Sequence, residues 1–113
     1  MANIAVAFQQ IVIAGIAPAY TGSLSASNQY QVPNDGRVFL HFKKTGAGAC
    51  TVTIVTQKVY KGLQLPNRTF VVPATTGDVM AGPWEPDLVN DANQLLNFTL
   101  SEITGLSVAA LYL

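Results

Sequence analysis

Charge is scarce in this chain. Asp, Glu, Lys and Arg make up 11% of its 113 residues, against about 25% in an average soluble protein. Six basic residues balance six acidic ones, for a net charge of zero. A nucleic-acid binder needs clustered Lys and Arg to neutralise phosphates. Here Arg37, Lys43, Lys44, Lys58, Lys61 and Arg68 are spread out and read as solvated loop and strand positions, so nucleic acid is not an expected partner.

Cysteine and histidine are scarcer still. Cys50 is the single cysteine, which excludes an internal disulfide. It lies in the apolar stretch Ala49-Cys50-Thr51-Val52 and reads as a small buried hydrophobe rather than a reactive thiol. A metal centre needs several converging His, Cys, Asp or Glu ligands. His41 and Cys50 fall on different expected strands, and His41 reads as a surface or interface residue. Asp87 and Asp91, with Asn90 and Asn93, form the one oxygen-rich cluster. Calcium uses such oxygens, but the EF-hand spacing is missing, and loops are commonly rich in Asp and Asn. No metal or other cofactor is expected.

Catalytic groupings are equally thin. No serine sits in a Gly-x-Ser-x-Gly elbow, and any nucleophilic triad would have to use His41. The carboxylates are Asp35, Asp78, Glu85, Asp87, Asp91 and Glu102. A glycosidase pair among them is a matter of spatial separation, but no aromatic-rich stretch accompanies them. Gly46-Ala47-Gly48 lacks the lysine and helix of a phosphate loop. The chain is not expected to be an enzyme.

Long hydrophobic runs are missing too. Residues 4–17 are apolar, but Gln9 and Gln10 interrupt them and no Lys or Arg precedes them. That stretch is too short for a membrane-spanning helix and lacks the basic start of a signal peptide. It is expected to belong to the working protein, with no membrane partner. Asn67-Arg68-Thr69 and Asn97-Phe98-Thr99 match glycosylation sequons, patterns short enough to arise by chance.

What the chain has in plenty is apolar side chain, half of all residues. One small core should not need so much, and a free monomer with few charges would be poorly soluble. Coverage by other protein is the economical explanation. Short apolar or alternating runs, each followed by a turn signal, recur at roughly ten-residue spacing, the rhythm of a sandwich or barrel. Val38, Leu40 and Phe42 alternate with Phe39 and His41; Val52 and Ile54 with Thr51 and Thr53; Leu96, Phe98 and Leu100 with Asn97 and Thr99. Pro33-Asn34-Asp35-Gly36 is a strong turn signal. The last segment, residues 106–113, is apolar on both faces and should be central or covered by a neighbour. Residues 87–94 read as a helical turn or a loop.

The expected fold is all-β: an antiparallel sandwich of about eight short strands, jelly-roll, Ig-like or β-tripod in type. Residues 20–113 form its single domain. Residues 1–19 are its first strand or an extended arm, and a helix there is disfavoured by stiff Ile and Val. Ile4, Val6, Phe8, Ile11 and Ile13 in that segment are interface candidates. So is Trp84, in a loop between Pro83 and Pro86, either as an interface anchor or as a cap over the sandwich's open end.

Several stretches carry a resemblance to a known family. They are Val32-Pro33-Asn34-Asp35-Gly36-Arg37-Val38-Phe39-Leu40, Thr45-Gly46-Ala47, Thr51-Val52-Thr53-Ile54, Asn67-Arg68-Thr69, Val72-Pro73-Ala74, Gly82-Pro83-Trp84 and Thr104-Gly105-Leu106-Ser107-Val108-Ala109-Ala110-Leu111. In order and spacing this pattern, over residues 30–113, resembles the small capsid decoration (cement) proteins of tailed bacteriophages; residues 88–95 depart from it. The resemblance implies a structural protein on the virion's exterior, made in the host cytoplasm. Its partners would be the major capsid protein and its own copies, as a homotrimer, and its role to stabilise contacts between capsid subunits. Two other expectations stand beside it: a tail, baseplate or head–tail connector component, and a stand-alone carbohydrate-binding sandwich.

Overall fold

Period-two alternation gives most of the strands one apolar face, and two such faces closed on each other make the core. The computed structural model describes residues 3–22 and 24–112. One sheet holds β1 (Asn3–Ala5), β3 (Gln29–Pro33), β10 (Leu95–Leu100), β5 (Cys50–Ile54) and β8 (Arg68–Val72), in the spatial order β1-β3-β10-β5-β8. The other holds β2 (Phe8–Gln10), β11 (Leu106–Tyr112), β4 (Val38–Lys44) and β9 (Gly77–Ala81), in the order β2-β11-β4-β9. A two-residue-per-strand hairpin, β6 (Val59–Tyr60) with β7 (Leu63–Gln64), and one helical turn, α1 (Pro86–Val89), complete the described elements. The fold is a β-sandwich with no closed barrel.

The long strands pair antiparallel, as in Leu96↔Val32 and Val108↔Phe42. The two N-terminal strands instead pair parallel, β1 with β3 and β2 with β11. Val6, between them, is buried in the common core as the chain passes from one sheet to the other. Val38, Leu40, Phe42, Val52, Ile54, Leu96, Phe98 and Leu100 all point inward, as the alternation predicts. Phe42 and Phe98 bridge the two sheets edge-on, with ring centroids 5.8 Å apart, a favoured aromatic geometry. The doubly apolar last strand lies between β2 and β4, which is where such a sequence belongs.

Two glycines are fixed by close approach. A Cβ on Gly77 would stand 2.2 Å from the Pro73 carbonyl oxygen, and one on Gly46 2.3 Å from that of Thr104. The turns at this end of the sandwich are packed backbone against backbone.

The interior also takes polar groups. Lys44, expected at a solvated position, is buried. Alternation puts it on the inner face after Phe42, and its aliphatic stem packs inward while Nζ donates to the Thr104 carbonyl, with Glu102 Oε1 4.0 Å away. Asn97 is buried on the outer face of its sheet, beneath Gln29 and Gln31, which donate to its Oδ1 at 3.1 and 2.8 Å. Its sequon is therefore not presented to solvent.

Candidate interaction surface

The one histidine and the one cysteine do not converge. His41 lies in β4 and Cys50 in β5, in different sheets, and Cys50 is wholly buried. Among the described residues, no group of three or more His, Cys, Asp or Glu is placed to hold a metal ion. The oxygen-rich cluster is spent on internal bonds. Asp87 pairs with Lys58 at 2.5 Å. Asp91 accepts from the backbone amides of Asn93 and Leu95 and from the Asn97 side chain, at 2.8, 3.1 and 3.0 Å. Asn90 joins Asn34 at 2.8 Å.

His41 is not a surface residue: it is buried on the outer face of its sheet, under Tyr20. Nε2 faces the Asp78 carboxylate. A carboxylate only accepts, so Nε2 carries a proton, and in the neutral ring Nδ1 accepts from the Tyr20 hydroxyl 2.8 Å away. The hydrogen bond from His41 holds the Asp78 carboxyl below its ordinary range; burial opposes this, and electrostatic attraction to His41 and Lys43 adds to it.

This contact pins a loop. After β2, the Ile11 amide donates to the Tyr112 carbonyl at 2.8 Å, and a turn follows in which the Gly15 amide reaches the Val12 carbonyl at 2.9 Å. Gly15 has φ +87°, a conformation that favours glycine. The chain then returns: the Ala19 amide donates to Gln9 Oε1 at 2.7 Å, and Thr21 bridges Val108. Beneath this loop Ala109 and Leu111 are buried although they face outward.

The tip of the loop is bare hydrocarbon: Ile13 is fully exposed and Val12 is 47% exposed. Ile11 at its start, Phe8 on β2 and Ile4 on β1 are also exposed. No charged residue occurs before Asp35. Of the interface candidates, Ile4, Phe8, Ile11 and Ile13 thus lie open, whereas Val6 is enclosed in the chain's own core. It falls at the crossing between sheets, where both apolar layers close over it. Trp84 is half-buried and packs against that core.

Sequence reasoning missed a second group. Val59, Tyr60 and Leu63 on the β6–β7 hairpin, Val71 on β8 and Met80 on β9 are exposed apolar residues. Val71 and Met80 sit on short strands, and nothing in the sequence says that β8 and β9 are both edge strands. Between those edges lies a slot of about 430 Å³ walled by Phe70, Val79, Met80, Trp84 and Leu88, with Arg68 and Glu85 also lining it. A smaller cleft of about 280 Å³ at the opposite edge is lined by Phe8 and Tyr112 with Asp35, Arg37 and Gln94.

Comparison with protein-family models, curated proteins and solved structures finds no match to this chain.

Proposed function

We propose that this chain is a non-catalytic virion structural protein that binds the outer surface of a phage capsid and stabilises contacts between capsid subunits. The observation that carries the adhesive part of this reading is the set of exposed side chains Ile4, Phe8, Ile11, Val12 and Ile13 on an uncharged stretch of chain. Exposed apolar surface of this kind marks contact with protein or membrane. The capsid as the surface bound follows from the resemblance of residues 30–113 to decoration proteins. The major capsid protein and further copies of this chain, as a homotrimer, are the partners under this reading, and the capsid exterior is its place. The mechanism is linkage: a protein that binds only the assembled lattice stabilises that lattice by mass action.

Shells of the matching capsid prepared without this chain test the reading. Adding purified chain should raise the temperature at which the shells dissociate; shells whose dissociation temperature does not move would refute it. A second reading, a carbohydrate-binding sandwich, draws on the cleft where Phe8 and Tyr112 stand 5.6 Å apart beside Asp35, Arg37 and Gln94. It predicts a rise in the chain's own melting temperature with a sugar panel and no effect on shells.

A further inference from the structure

The molecule offers an apolar knob and an apolar slot on opposite edges. The knob is the turn around Val12–Gly15, next to β2 at one end of its sheet. The slot opens between β8 and β9 at the other, three strand spacings or roughly 14 Å away across the sheet. None of the slot's lining residues comes from residues 3–22, so the chain does not fill it with its own knob.

We infer that the Ile11–Ile16 turn of one copy seats in the slot between β8 and β9 of a second copy. Three observations support a second copy as the occupant. Ile13 projects with its side chain fully exposed, and the slot's volume takes an isoleucine with room for a neighbour. The contact is mainly apolar: the knob's stretch has no charge to desolvate, and Phe70, Val79, Met80, Trp84 and Leu88 wall the slot, with Arg68 and Glu85 also in its lining. The strands flanking the two features, β2 and β9, are the unpaired edges of one sheet. β2 already pairs parallel with β11, and β9 runs in the same direction as β11 because both pair antiparallel with β4. A parallel β2–β9 join between copies therefore repeats the kind of pairing β2 makes at home. A bilayer is the less fitting occupant, since lipid-inserting tips are commonly flanked by Lys and Arg that draw them to anionic headgroups, and no basic residue precedes Arg37.

Knob and slot face opposite ways, so each copy gives its knob to one neighbour and its slot to another. Such head-to-tail contacts close into rings when the rotation permits. This deepens the adhesion reading by naming the partner of one surface, and it is tested on purified chain with no capsid present, so shell binding and self-association succeed or fail separately.

The full-length chain is sized by light scattering, alongside Ile13→Asp and Met80→Asp, with circular dichroism to verify folding. Both residues are exposed, so both variants should fold. Wild type should be oligomeric, and each variant monomeric, with self-affinity lowered roughly a hundredfold or more because a carboxylate is carried out of water and against the slot's apolar walls. Mixing the two variants should yield a dimer and nothing larger, because one intact knob and one intact slot remain. A monomeric wild type at high concentration would overturn the inference. So would loss of association in Ile13→Asp alone, which means knob against knob. A third overturning result is a monomer that sediments with neutral phosphatidylcholine vesicles unless Ile13 is changed.

Discussion

The hydroxyl of Tyr20 lies 2.8 Å from Nδ1 of His41, and the two rings meet edge to face with centroids 5.5 Å apart. Tyr20 belongs to the returning limb of the N-terminal loop and His41 to the centre of β4, so this pair fastens the apolar loop to the sandwich. Lys43 adds to the same aromatic face, its Nζ 5.2 Å from the Tyr20 ring centroid.

Removing the hydroxyl should loosen the loop without unfolding the domain. Tyr20→Phe leaves the imidazole nitrogen without its donor and should cost about 1–2 kcal/mol in urea denaturation. Limited proteolysis should show faster cleavage in residues 11–19 than in wild type. An unchanged cleavage pattern would mean that Gln9 and the Thr21 bridge hold the loop without Tyr20.

Acid should weaken the Asn97 network. Burial pushes the Asp91 carboxyl up, but hydrogen bonds from the Asn97 side chain and the Leu95 and Asn93 amides outweigh it and leave the group below its ordinary value. A carboxyl depressed in the folded state stabilises the protein above its unfolded pKa of about 3.9, and that contribution is lost as pH falls through the folded value. Asp91→Asn should therefore lower stability at neutral pH by about 1 kcal/mol or less, given its partial exposure to solvent. It should also flatten the fall in stability below about pH 4. Denaturation midpoints from pH 7 downward check both.

Asn97 itself is fully enclosed and bonded on both ends of its amide. Asn97→Ala strands Gln29, Gln31 and Asp91 together, and a loss of about 2–3 kcal/mol is expected. A loss near zero would show that the three neighbours rebond to one another or to water.

The packed turns set a steric limit. Gly77→Ala places a methyl group against the Pro73 carbonyl and, at 2.8 Å, the Val72 side chain. A loss of about 1–3 kcal/mol is expected for such overpacking, read as a lower melting temperature. Gly62→Ala, where no atom lies within 4 Å but φ is +81°, should cost less.

Strands and core were legible because alternation survives in any register: Val38, Leu40 and Phe42 face inward whichever strand they pair with. Pairing was not legible. Asn34-Asp35-Gly36 reads as a turn whether it joins neighbours in one sheet or arches between two, and here β3 and β4 lie in different sheets. The edge positions of β8 and β9, and with them the slot, depend on that choice. Lys44 was misread, and the burial of Asn97 was not legible, for a related reason. Sequence alternation tells which way a side chain points, but not which other side chains will close over it. The N-terminal candidates were half legible: Ile4, Phe8, Ile11 and Ile13 are open, but the crossing that encloses Val6 needs both sheets to be in place.

Adhesion to a lattice is the central claim, and the number of copies bound per shell at saturation tests it most directly. Quantitative mass measurement of shells incubated with excess chain should give hundreds of copies per shell, in fixed ratio to the capsid protein. About a dozen or fewer, as symmetry at a single vertex or tail would impose, or no bound chain at all, would contradict it.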